Sequence, residues 1–225
     1  MTEPDVTLTD YALALECGVF CALALRWPGG AQELRRWWLL FFGAIGIASI
    51  VGGTVHGFFL APGTINAVLW RATLLALGVA SLAMWLIGSA MQLSEPVATW
   101  VRRAAIAQLI TYVLVVLFVN SRFTVAIATY VPATLFLLVA MLLVYRRTGQ
   151  ASLLYGVAGL ALTFVAAAVQ QLRFAIHPLY FNHNALYHTI QAIALLAIFV
   201  GAKWTAAIPP SPPSPSSHFA TRVAP

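Results

Sequence analysis

Long apolar stretches separated by short connections recur along this chain and limit what it can fold into. They fall at about 8–26, 37–60, 65–91, 104–120, 123–145, 150–176 and 184–206. A bilayer-spanning helix needs roughly 20 mainly apolar residues, so each stretch is long enough to cross once. With 61% hydrophobic and 8% charged residues, the chain lacks the polar surface a water-soluble globule of this size would need. The expected fold is therefore all-α, a polytopic seven-transmembrane helix bundle over residues 1–207, with no soluble domain.

Charge placement orients the bundle. The formal net charge is +6, which in a soluble protein could suggest a nucleic-acid partner. Here the basic residues sit at span ends, so no nucleic-acid partner is expected. Arg26, Arg35 and Arg36 mark the first connection, Arg102 and Arg103 the third, and Arg146 and Arg147 the fifth. The second, fourth and sixth connections carry little beyond Arg122 and His177, and the N-terminal segment holds Glu3, Asp5 and Asp10. The positive-inside rule then puts the N-terminus outside and the C-terminus in the cytoplasm. The first apolar run lacks a basic leader and a small-residue cleavage site, and so reads as a retained helix. Arg dominating over Lys, with no eukaryotic sorting signal, points to a bacterial inner membrane.

From residue 208 to 225 the composition turns to Pro and Ser, which reads as a disordered cytoplasmic tail carrying a solvated His218. Cys17 and Cys21 stand one helical turn apart and read as packing residues. Gly43, Gly46, Gly52 and Gly53 crowd the second span, where small residues allow close approach of helix backbones in lipid. Pro132 is expected to bend the fifth span.

Ionisable residues inside spans are costly in lipid and are functional candidates by default. At about 1.5 Å rise per residue, Glu16 lies some 10 Å below the outer end of the first span, and Arg71 about 9 Å below that of the third. His56, Gln170, Gln171, His183 and His188 also fall in the outer half, whereas the inner halves are apolar up to their basic boundary residues. An enclosed polar cavity in the outer half accounts for this layering. His56 and His188, on two different spans, could hold a divalent ion, with His183 or Glu16 as third ligand. Five residues on a regular helix turn by roughly 140°, so His183 joins His188 only if the seventh helix starts late or unwinds near Asn182 to Asn184. Glu16 and Arg71 could alternatively be a buried ion pair with no chemical role.

The motifs GGTVHGF around His56 and HNALYH ending at His188, on a seven-helix N-out frame, resemble the CREST superfamily. That superfamily groups alkaline ceramidases, adiponectin-receptor-like proteins and related membrane hydrolases. The resemblance implies zinc held by one His of helix two and two of helix seven, with assisting Ser and Asp residues. It matches His56 and His188 to two of those ligands. The chain departs from the pattern at Asn184, where a His would stand, with His183 shifted by one. It departs again at Gly52, where a Ser would stand, and in a third span with Asn66 and Arg71 but no Asp.

Together these readings suggest a zinc-dependent hydrolase acting on an amide or ester lipid from the membrane. In it Glu16 would serve as general acid–base and Arg71 would stabilise the oxyanion. A non-catalytic lipid-binding receptor or sensor would use the same cavity. Haem ligation between His56 and His188 is a further reading. A retinal Schiff base on Lys203 ranks last, because no acid stands near it and it lies about 22 Å deeper than His188.

Overall fold

The computed structural model describes residues 1–27 and 32–205. Among the described residues seven helices follow one another: α1 Pro4–Ala24, α2 Gln32–Phe58, α3 Thr64–Gln92, α4 Glu95–Phe118, α5 Phe123–Thr148, α6 Ser152–Gln171 and α7 His183–Thr205. All seven are long and apolar enough to cross a membrane, and the chain is a multi-pass membrane protein. In lipid no water satisfies the backbone, so each crossing must close its hydrogen bonds within its own helix. The expected tail, 208–225, lies outside the described residues.

Local signals set several helix ends. Pro4 opens α1 and Pro96 opens α4, at positions where a missing N–H costs nothing. Gly149 ends α5 in the left-handed conformation (φ 68°), donating its N–H to the Tyr145 carbonyl. The α5 helix runs through Pro132 as one element. Asn182 caps α7, its Oδ1 accepting from the N–H groups of Asn184 (2.8 Å) and Ala185 (3.2 Å). Some helices outrun their apolar stretches. The α4 helix begins at Glu95, well before residue 104, because its first turns carry the polar Glu95, Arg102 and Arg103. The α1 helix begins at Pro4, which draws Thr7 and Asp10 into the bundle.

Neighbouring helices pack in the order α1, α2, α3, α5, α6, α7 and back to α1, while α4 lies outside this ring against α3. Glycines make the ring tight where they face a neighbour. A Cβ on Gly46 would meet Cys17 at 3.1 Å, one on Gly53 would meet Asp10 at 2.8 Å, and one on Gly57 would meet Thr7 at 2.9 Å. The small-residue reading of α2 thus holds at Gly46 and Gly53, is looser at Gly52, where a Cβ would lie in ordinary contact 3.5 Å from Thr73, and fails at Gly43, which has nothing within 4 Å. The α6–α7 seam is closer still, with Gly156 against Gly201 and Gly159 against the backbone of Ala194 and Ile198.

One half of the ring is filled solid. Phe20 stacks on Phe199 with centroids 4.4 Å apart, and Trp38, Phe41 and Phe42 pack edge and face around them. Leu137, Met141, Leu153, Leu195 and Ile198 complete this core, all fully buried or nearly so. At the same end Trp38 donates Nε1–H to Thr205 Oγ1 (2.8 Å), and Arg102 reaches both Glu33 (3.5 Å) and Glu95 (3.4 Å). The opposite half, where the N-terminus lies, holds the polar residues.

Candidate functional site

A cavity of about 270 Å³ opens in that half, lined by the six ring helices. Its positions recur at helical spacing: Asp10 and Leu13 on α1, Ser49, Gly52 and His56 on α2, and Tyr187, His188 and Gln191 on α7. Trp70, Thr73 and Leu77 come from α3, Tyr130 and Val131 from α5, and Thr163 and Gln170 from α6. The lining therefore combines these polar groups with apolar residues that include Leu13, Ile45, Leu77, Ile127 and Val131.

His188 is 9% exposed, and its two nitrogens meet α1. Nε2 lies 3.3 Å from Asp10 Oδ1, and Nδ1 lies 3.3 Å from Thr9 Oγ1. The Thr9 hydroxyl donates to the carbonyls of Asp5 (2.9 Å) and Val6 (3.0 Å). When the hydroxyl donates to these carbonyls, Thr9 Oγ1 accepts and His188 Nδ1 carries the hydrogen. The Nε2 to Asp10 contact is then a hydrogen bond only when one further proton sits between the two groups.

His56 reaches the cavity from the end of α2, and its Nδ1 meets Glu3 Oε2 at 2.5 Å. The same N-terminal residues clasp α2 by backbone: Thr2 N–H donates to the Gly57 carbonyl (3.0 Å), and Glu3 N–H to that of His56 (3.3 Å). Asp5 Oδ2 accepts from Asn182 N–H at 3.0 Å, tying the start of α7 to α1. On the far wall Gln191 Nε2 donates to Thr163 Oγ1 (3.4 Å).

Of the residues singled out in the sequence, His56, His188 and Gln170 line the cavity; Glu16, Arg71, His183 and Gln171 are not among its lining residues. Depth along a helix fixes height but not direction. Glu16 is six residues from Asp10, a rotation of roughly 240°, and its Oε2 is buried without a hydrogen-bond partner among the described residues. Arg71 stands beside Trp70 yet turns its Nη1 to the Ala67 carbonyl (3.3 Å), with Nε buried and unpartnered. No ion pair joins Glu16 to Arg71 among the described residues. The α7 helix is regular from His183 onward, so the unwinding needed to bring His183 round to His188 is not present, and Asn184 lines the cavity in its place.

Asp10 is the principal residue that the sequence reading placed elsewhere, among the outward-facing acids. The available signal was Pro4, which starts the helix about one turn before the apolar stretch and so takes Asp10 inside. Gln191, three residues after His188 on the same face, and Ser49, two turns from His56, could have been found by the same spacing.

A catalytic zinc takes three protein ligands and leaves a position open. Among the described residues no three His, Cys, Asp or Glu side chains are grouped to hold one ion. Instead His56 meets Glu3, and His188 meets Asp10. As placed, these residues do not fit a three-ligand zinc centre.

Fold and cavity together define a class: a seven-helix membrane protein with one half packed solid and a partly polar pocket in the other. Within that class, residues 6–206 match the family of unknown function DUF6962, and the chain belongs to that family. No curated protein and no solved structure matches it.

Proposed function

We propose that the chain is a membrane-embedded binding protein for an amphiphile, serving as a receptor or sensor. The bound molecule lays its apolar part on Leu13, Ile45, Leu77, Ile127 and Val131 and its polar end near Asp10, His188 and Gln191. The observation that carries this reading is the cavity itself. A void of about 270 Å³ lined by apolar side chains and a few polar groups, beside a half of the bundle filled by packed aromatic and aliphatic side chains, is the usual form of a small-molecule site. In this reading the N-terminus and the cavity face outward, and the Arg-rich end faces the cytoplasm of a bacterial inner membrane.

A photoreactive diazirine lipid tests the proposal on purified protein in nanodiscs. Adducts are expected on Leu13, Ile127 and Val131, and Ala48→Trp, which fills the cavity from α2, should remove them. Adducts confined to outward residues such as Leu15, Leu135 and Leu196, which are 71%, 52% and 53% exposed, would refute it.

A second reading keeps the same cavity as a lipid hydrolase site, in line with the CREST resemblance. Its support is that His56, His188 and Asp10 all line one cavity. It requires both histidines to leave their carboxylate partners for a shared ion. Elemental analysis decides: stoichiometric zinc in the wild type, lost in His56→Ala and His188→Ala but kept in His177→Ala, supports it. Metal-free purified protein excludes it.

A further inference from the structure

We propose that the polar end recognised by this cavity is an ammonium group, held by Asp10 and the side-chain carbonyl of Gln191. The inference rests on the reading that the cavity holds an amphiphile, and adds the chemistry of its head.

No Lys or Arg is among the lining residues, and the two histidines there, His56 and His188, already face the carboxylates of Glu3 and Asp10; Asp10 itself is 4% exposed. An anionic head, such as a carboxylate or phosphate, would enter an apolar enclosure beside a buried acid with no fixed cation to offset its desolvation. A cationic head meets the opposite situation.

Gln191 is 4% exposed, and its Oε1 is buried without a partner among the described residues. Its amide orientation is fixed by Thr163. The Thr163 hydroxyl donates to the Gly159 carbonyl (3.1 Å), so Thr163 Oγ1 can only accept, and only the amide NH₂ of Gln191 can face it. The carbonyl Oε1 therefore turns away from Thr163 as an acceptor lacking a donor. Asp10 directs Oδ1 toward His188 and Oδ2 toward α2, 3.6 Å from where a Cβ on Gly52 would lie. Gln191 follows His188 by three residues and so shares the face of α7 that Asp10 meets. The unmet demand of the site is for donors, and an ammonium supplies three of them with the matching charge.

The experiment uses full-length protein in nanodiscs, with displacement of the diazirine lipid adduct on Leu13 and Ile127 as readout. Dodecylamine, dodecanol and dodecanoate are the competitors, and the adduct on outward-facing Leu135 controls for bilayer partitioning. Dodecylamine should displace the probe at a concentration about tenfold or more below the other two. Asp10→Asn and Gln191→Met should each reduce that advantage while leaving dodecanol competition unchanged. Gln191→Met preserves volume and keeps the test available should Asp10→Asn fail to fold. Dodecanoate competing as well as dodecylamine, or an amine advantage that survives both variants, would overturn the ammonium assignment and leave the amphiphile site standing. If none of the three displaces the cavity adduct, the assignment and the binding reading fall together.

Discussion

Replacing Gly159 by alanine puts a methyl carbon 2.5 Å from the Ala194 backbone oxygen, and 2.8 Å from both the backbone nitrogen and Cγ1 of Ile198. Ordinary contact begins near 3.5 Å, so α7 must retreat by roughly an ångström at this point. Two of the three obstacles are backbone atoms of a regular helix, and no rotamer change can clear them. Overpacking of this kind costs about 1–3 kcal/mol, against which alanine returns about 1 kcal/mol of helix propensity. Because two of the obstacles are backbone, the upper part of that range, about 2–3 kcal/mol, applies, and the expected net loss for Gly159→Ala is about 1–2 kcal/mol. The strain also reaches the cavity: Thr163 is one turn from Gly159, and Gln191 one turn from Ala194, so a 3.4 Å hydrogen bond between them lengthens beyond use. Reversible unfolding in mixed micelles by SDS titration measures the change, with Gly43→Ala as control because nothing lies within 4 Å of a Cβ there. If Gly159→Ala is as stable as the wild type, or Gly43→Ala loses as much, the backbone-contact account of the α6–α7 seam is wrong.

Phe20→Ala should destabilise by about 3–5 kcal/mol, because its ring stacks on Phe199 at 4.4 Å and meets Phe42 at 5.3 Å in the filled half; the same titration reads it. Trp38→Phe removes one buried hydrogen bond, 2.8 Å long, to Thr205, and should cost about 1–2 kcal/mol while leaving probe adducts in the cavity unchanged. Glu3→Gln should free the N-terminal segment from His56, seen as faster amide exchange at Thr2 and Glu3; unchanged exchange would mean that the backbone bonds alone hold it. Reporter fusions at Arg36 and after Thr205 should both locate to the cytoplasm, and finding them on opposite sides would overturn the orientation.

The class of fold follows from the order of the amino acids alone. Seven apolar stretches of spanning length leave helices as the only way to satisfy the backbone in lipid, and that constraint is local to each segment. That order also places a polar layer in one half, since depth follows from counting residues along a helix. His56, Gln170 and His188 were legible for that reason. Direction was not, because azimuth advances by about 100° per residue and depends on where each helix starts and which neighbours it meets. Glu16 and Arg71 share the layer yet lie off the cavity wall, whereas Asp10 is drawn onto it by a helix start at Pro4 and a close approach to Gly53. Partner choice was likewise a tertiary matter. Two histidines on separate helices read as a pair that could share an ion, but packing set each against a carboxylate of the N-terminal region, Glu3 for His56 and Asp10 for His188. Sequence spacing sees only one helix at a time, and only the closed ring of α1, α2, α3, α5, α6 and α7 decides which faces meet across the cavity.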